Sequence, residues 1–262
     1  LPLARMLEGL GSSVGITIVA GTGNETARGH HFEGQISSES GYEDVEIRVA
    51  EGENGFFLEL WANAPETYSV AIRSPNGEVI PRIYVRPGRI EILNFALART
   101  RVELSYRLSV TGEFLALLRF INITPGVWTV RVYNDLFITG RYHMWLPIES
   151  FLRQDTVFLR PSEFITLTSP SDAANVISVS NYNHQNNSIY LYSGRGYTTV
   201  QIWRCLVLEL KVLHRRYQVW EMNFVVYKEV VQVLQQHIWR EQRHYFVSGQ
   251  EKVGFAILAA QM

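Results

Sequence analysis

Asn24 lies between Gly23 and Glu25, two residues beyond Gly21-Thr22 and just past the apolar run Ile16-Thr17-Ile18-Val19-Ala20. A side-chain amide fixed on a rigid turn is a hydrogen-bond donor that can be aimed at a reacting oxygen. Acyl transfer from a peptide needs such a donor, because the carbonyl oxygen becomes negative in the tetrahedral intermediate, and it also needs a nucleophile and a base. Gly23 has no Cβ and so lets a substrate approach the backbone closely. Removing a donor of this kind costs roughly 100- to 1000-fold in turnover, about 3 to 4 kcal/mol. Taken alone, the tripeptide fits more simply an asparagine that tolerates a left-handed turn.

Other residues with chemical potential are less well placed. The adjacent His30 and His31 point opposite ways on a strand and have no evident third ligand, so no metal is expected. His143, in Tyr142-His143-Met144-Trp145, reads as a satisfied histidine of a β sheet rather than a catalytic base, and Ser193, near Arg195, has no partnered base in view. Cys205 is the single cysteine, which excludes an internal disulfide framework and leaves the compartment open. A formal charge of -1 and the absence of a long basic run argue against nucleic acid or an anionic membrane surface as the main partner. A neutral partner or substrate is expected, with no cofactor. No apolar stretch reaches the roughly 18 residues that span a bilayer, and the N-terminus lacks the order of a signal peptide. A chain that starts on Leu1 is expected to be a fragment.

The elements that must hold Asn24 are legible around it. Leu3, Met6, Leu7 and Leu10 recur at helical spacing after Pro2 and stop at Gly11, which predicts a short amphipathic helix. Val14 to Ala20 reads as a strand of the parallel-sheet kind, buried on both faces, and sites in open α/β sheets lie at the C-terminal edges of such strands. From about Phe32 to Ile148 the pattern changes to short alternating segments: 45–49, 57–61, 68–73, 90–93, 114–121 and 128–133. Turn signals at Ser74-Pro75-Asn76-Gly77, Arg86-Pro87-Gly88 and Thr124-Pro125-Gly126 separate them, which predicts an inserted antiparallel sandwich or jelly roll. Its Phe56, Phe57, Trp61, Phe95, Phe120 and Trp128 are expected in the core. Strands near 176–180 and 189–191 then return to α/β character and end at Ser193-Gly194-Arg195-Gly196.

The succession of helix, Ile-Thr-Ile-Val-Ala, Gly23-Asn24-Glu25, Thr168-Ser169-Pro170 through Asn175-Val176-Ile177-Ser178-Val179, and Ser193-Gly194-Arg195-Gly196 resembles the central part of a subtilisin-like serine peptidase. The inserted segment, with 56–65 and Thr124-Pro125-Gly126-Val127-Trp128, is similar to the jelly-roll insertion of clostridial members of that family. The resemblance implies an α/β fold: a fragment of a parallel-sheet catalytic domain carrying an antiparallel insertion. The expected divisions are 1–32 and 151–199 for the catalytic core, 33–150 for the insertion and 200–262 for a tail of different texture. It further implies that the partner is a protein or peptide substrate, that Asn24 is the oxyanion donor and that Ala20, Gly21, Thr22 and Gly23 form part of the wall of the primary specificity pocket. The usual Ala-Ala-Gly-Asn is replaced here by Gly21-Thr22 ahead of Gly23-Asn24.

The family's Lys-Pro-Asp and Gly-Thr-Ser-x-Ala-Ala-Ala segments, the second carrying the nucleophile, do not occur in the chain. Taking the third base of each possible codon with the first two of the next reads the other frame. Val230 to Tyr245 then permits Gly-Thr-Ser-Ile-Ala-Ala-Ala-Tyr-Met-Ala-Gly-Ala-Ala-Ala-Leu, and Val200 to Leu208 permits Pro-Asp-Leu-Ala-Val-Pro-Gly-Val. Two family motifs thus reappear in order in one shifted frame. The expectation is a one-base deletion or its equivalent near Thr199 to Gln201, with the nucleophile's codon straddling Gln232 and Val233 and the catalytic aspartate and histidine upstream of Leu1. Such a chain is inactive alone. A second reading is a noncatalytic β-sandwich binding module with flanking remnants.

Overall fold

The computed structural model describes residues 2–13, 15–38, 41–108, 112–173, 175–183, 188–196 and 255–258. Helix α1 (Pro2–Gly11) and strand β1 (Thr17–Gly21) come first. There follow β2 (His31–Gln35), β3 (Tyr42–Val49), β4 (Phe57–Ala62), β5 (Thr67–Arg73), β6 (Val79–Ile83) and β7 (Ile90–Phe95). Next are β8 (Thr100–Leu108), β9 (Phe114–Ile121), β10 (Gly126–Leu136), β11 (Arg141–Trp145) and β12 (Val157–Phe158). Strands β13 (Ile177–Val179), β14 (Tyr182–Asn183), β15 (Ser188–Ile189) and β16 (Phe255–Leu258) complete the order. By packing the chain divides into two units, Leu1–Ala27 with Phe164–Met262, and Arg28–Glu163.

The Arg28–Glu163 unit is two antiparallel sheets on one core. The five-stranded sheet runs β12-β3-β10-β5-β6 and the six-stranded sheet β2-β11-β4-β9-β8-β7. Period-two alternation dictates this arrangement: in β4 Leu58, Leu60 and Ala62 turn inward, and in β10 Trp128, Val130 and Val132 do the same. Aromatic rings tie the sheets together. Tyr68 of β5 meets Tyr142 of β11 at 5.3 Å, and Trp128 of β10 meets Phe120 of β9 edge-on at 5.6 Å and Phe95 of β7 at 5.1 Å. The buried Trp128 indole N–H donates to the Thr124 carbonyl at 2.8 Å, and the buried hydroxyls of Tyr106 and Tyr142 donate to the Ile83 carbonyl and the Glu43 carboxylate, each at 2.8 Å. Of the residues expected in this core, Phe56, Phe95, Phe120 and Trp128 are there. Phe57 and Trp61 are not: both sit on the outer register of β4, with Phe57 46% exposed and the Trp61 indole donating to Glu59 at 2.8 Å.

One buried charge organises a turn of this unit. The Glu66 carboxylate accepts the backbone N–H groups of Ile138 at 3.0 Å, Thr139 at 2.7 Å and Gly140 at 2.6 Å, and the Thr139 hydroxyl at 2.9 Å. Burial by itself would raise its pKa, but the N–H donors outweigh that and hold the carboxyl below its ordinary range.

The other unit has a smaller apolar core among the described residues. Leu7 of α1, Ile18 of β1 and Ala173 are buried together, with Val176 packed against them. Strand β1 pairs in parallel with β13, Val19 facing Ile177 and Ala20 facing Ser178, and on its other side with β16, Thr17 facing Phe255.

The expected α/β class is overturned. Among the described residues, three of the four sheets contain only antiparallel pairs, parallel pairing is confined to β1 with β13 and β16, and α1 is the one α-helix. The protein is β-rich. The apolar runs at 16–20 and 176–179 do form parallel strands, but they are short, and the alternating segments between them supply most of the structure. Apart from β16, the segment 200–262 that was expected to be out of frame lies outside the described residues, as does Cys205.

Candidate functional site

Strand β1 ends where the chemistry was expected. Ile18 and Ala20 are buried, Gly21 is exposed, and Thr22 continues the ladder by donating its N–H to the Val179 carbonyl at 3.0 Å. The chain then turns through Gly23, which has φ of +87°, a backbone region that glycine enters without strain. A Cβ at Gly23 would also lie 2.2 Å from the Thr168 Oγ1, so both conformation and space require glycine. Asn24 is exposed on the turn.

The turn is clamped on both sides of Asn24. The Gly23 carbonyl accepts the Gly194 N–H at 2.9 Å, and the Thr26 N–H donates to the Tyr192 carbonyl at 3.2 Å. The Thr22 carbonyl accepts the Thr168 N–H at 3.1 Å. The 192–194 segment can lie this close because Gly194 has no side chain: a Cβ there would sit 2.2 Å from the Thr22 carbonyl oxygen. Beneath the turn, hydroxyls replace apolar packing. Thr22, Thr26, Thr166, Ser180 and Ser193 are all buried. Thr22 Oγ1 lies 3.2 Å from Ser180 Oγ and 3.4 Å from Ser193 Oγ, while Thr26 Oγ1 donates to the Ser193 carbonyl at 2.6 Å and contacts Thr166 Oγ1 at 2.7 Å.

The structure therefore places the expected site residues as follows. Asn24, Gly21 and Gly23 reach the surface or lie near it, whereas the side chains of Ala20 and Thr22 are buried. Ser193 is 1% exposed and its Oγ accepts the Asn181 N–H at 2.8 Å, which makes it a structural hydroxyl. The hydroxyl cluster was missed in the sequence. Its signal was a concentration of serine and threonine just beyond apolar runs, at Thr22, Thr26, Thr166, Thr168, Ser178, Ser180 and Ser193.

The histidines form a separate group in the other unit. His31 Nε2 and His143 Nδ1 are 3.1 Å apart, and Trp145 stacks on His31 at 4.8 Å. His30 and His31 are both buried, and burial lowers the pKa of His143, which suits a neutral imidazole. Among the described residues no group of three or more His, Cys, Asp or Glu is arranged to hold a metal.

A β-rich chain that ends a short parallel strand in a clamped Gly-Asn turn and carries a large two-sheet unit defines the class of fold. No family model matches the sequence, and no curated protein does. Among solved structures the chain is similar to the Clostridium perfringens CspB protease, with a TM-score of 0.71, 21% sequence identity and coverage of 97% of this chain. The match takes in 57% of that protease, so the chain spans little more than half its length. At this identity the likeness establishes a shared fold.

Proposed function

We propose that the chain is part of a serine endopeptidase of the subtilisin-like type, in which Asn24 donates a hydrogen bond to the oxyanion of peptide hydrolysis. The observation that carries the reading is a surface asparagine on a turn clamped by Gly194 and Tyr192, in a chain whose fold matches that of a protease over almost its whole length. An amide held this way needs no reorganisation as charge develops on the substrate oxygen, which is the condition for it to stabilise the transition state more than the ground state. The wall beside it is main chain: with Ala20 and Thr22 turned inward, only Gly21 and Gly23 border the surface, so substrate contacts there fall on backbone atoms.

Under this proposal the nucleophile, base and orienting acid are not among the residues of this chain. The serine is carried in the shifted frame across Gln232 and Val233, and the chain alone hydrolyses nothing. Sequencing the genomic DNA around Thr199 to Gln201 tests this. A single-base discontinuity with Gly-Thr-Ser downstream supports it, and an intact frame with no hidden Gly-Thr-Ser rejects it. A serine-directed activity probe leaves this chain unlabelled under the proposal; labelling would refute the assignment of the missing nucleophile.

A second reading, a noncatalytic β-sandwich binding module, is favoured by the self-contained core of Arg28–Glu163. An upstream coding segment with aspartate and histidine motifs discriminates for the peptidase.

A further inference from the structure

The buried hydroxyls around Thr22 carry a definite direction, which follows from counting protons. The Ser180 hydroxyl donates to the Gly194 carbonyl at 3.1 Å. A hydroxyl has one proton, so in the 3.2 Å contact between Thr22 and Ser180 the donor is Thr22. With that proton committed, the 3.4 Å contact between Thr22 and Ser193 has Ser193 as donor, and Ser193 Oγ meanwhile accepts the Asn181 N–H at 2.8 Å. The relay runs from the Ser193 hydroxyl through Thr22 and Ser180 to the Gly194 carbonyl. Gly194 closes it by donating its N–H to the Gly23 carbonyl at 2.9 Å. A second branch starts from Thr26, whose proton goes to the Ser193 carbonyl at 2.6 Å; the Thr166 hydroxyl lies 2.7 Å from Thr26 Oγ1 and 3.5 Å from the Arg195 carbonyl.

Thr22 accepts from Ser193 and donates to Ser180, and it directly precedes the Gly23-Asn24 turn. We propose that Thr22 is a positioning residue: its buried hydroxyl, held between Ser193 and Ser180, fixes the turn that presents Asn24. The assignment rests on the reading of Asn24 as an oxyanion donor and adds the group that holds it in place. An apolar residue of the same shape at position 22 leaves Ser180 without a donor and Ser193 without an acceptor in a site closed to water, and the segments 178–181 and 192–194 lose their common tie to the turn. Serine at that position keeps the oxygen and its proton.

Amide hydrogen exchange on the full chain, residue by residue, tests this without any need for peptide hydrolysis. In Thr22→Val the amides of Thr26, Asn181 and Gly194 exchange on the order of 10-fold faster. The β1 amides of Ile18 and Val19 hold their wild-type rates, and Thr22→Ser restores all three sites. Unchanged exchange at those three amides in Thr22→Val overturns the proposal. So does an equal acceleration in β1, which marks a general loss of stability, or a failure of Thr22→Ser to restore the rates. If Thr22→Val does not fold, Ser193→Ala breaks the first link and is held to the same outcomes at Thr26 and Gly194, since the Asn181 N–H there loses its own acceptor. Failure of the oxyanion reading shows elsewhere, as undiminished peptide turnover on removal of the Asn24 amide, and leaves the exchange result standing.

Discussion

The two units of the chain are held by different physics. In Arg28–Glu163, twenty-nine buried apolar residues form one cluster; in the unit containing Asn24 the corresponding cluster among the described residues is Leu7, Ile18 and Ala173. The first gains its stability from area removed from water, which tolerates small misfits and is not directional. The second is tied by hydroxyl and backbone hydrogen bonds and by glycines that admit close approach, which fix geometry more than they add free energy. A turn of fixed geometry is served by the second kind of construction, and a stable two-sheet core by the first.

The contrast can be broken most severely in the large core. Trp128→Ala, which removes the ring that Phe95 and Phe120 meet edge-on, is expected to lower the stability of the Arg28–Glu163 unit by about 3 to 5 kcal/mol in denaturant titration. A loss under about 1 kcal/mol would mean the sheets do not share the core described.

Glu66→Gln comes next. Three backbone N–H groups and a hydroxyl lose a charged acceptor, and the expected cost is about 1 to 3 kcal/mol by the same titration. Its folded pKa is held down, so the wild type carries this stability above the ordinary value of 4.5 and sheds it as pH falls below that value; the variant lacks this acid-dependent component.

Gly23→Ala sharpens the comparison from the other side. The positive φ and the approach to Thr168 make it cost about 1 to 3 kcal/mol, felt as faster hydrogen exchange around the turn while the transition of the larger unit stays in place. Gly21→Ala has open space at its Cβ and should shift stability by less than about 0.5 kcal/mol.

A modest, pH-dependent effect is expected at His143. Burial disfavours its charged form, so its folded pKa lies below 6.5; the unfolded chain takes up the proton first, and stability declines as pH falls below 6.5 toward the folded value. His143→Gln removes that dependence at a cost of about 0.5 to 1.5 kcal/mol, visible in thermal melts between pH 7 and pH 5.

Much of the large unit was legible because alternation declares itself locally: the segments at 45–49, 57–61, 68–73, 90–93, 114–121 and 128–133 all lie in strands. Strand β6 was hidden by Pro81, which sits on an edge strand where a missing N–H does no harm. Trp61 was misassigned because size suggested burial, whereas the register of β4 turns it away from Leu60. The class was misread because buried apolar runs near Asn24 pointed to a parallel sheet, and nothing in a short run tells how small a share of the chain such a sheet will take. Asn24 and Gly23 were legible as a turn. The relay beneath them was not, since Thr22 and Ser193 are 171 residues apart and only folding brings their hydroxyls to 3.4 Å.

The central claim is that Asn24 stabilises an oxyanion. Its most direct test is the turnover of a peptide substrate by the product of the whole gene, with the discontinuity proposed near Thr199 repaired where sequencing finds it, compared with the same protein carrying Asn24→Ala. The account predicts a fall in kcat of roughly 100- to 1000-fold with KM little changed. Equal kcat in the two proteins would contradict it.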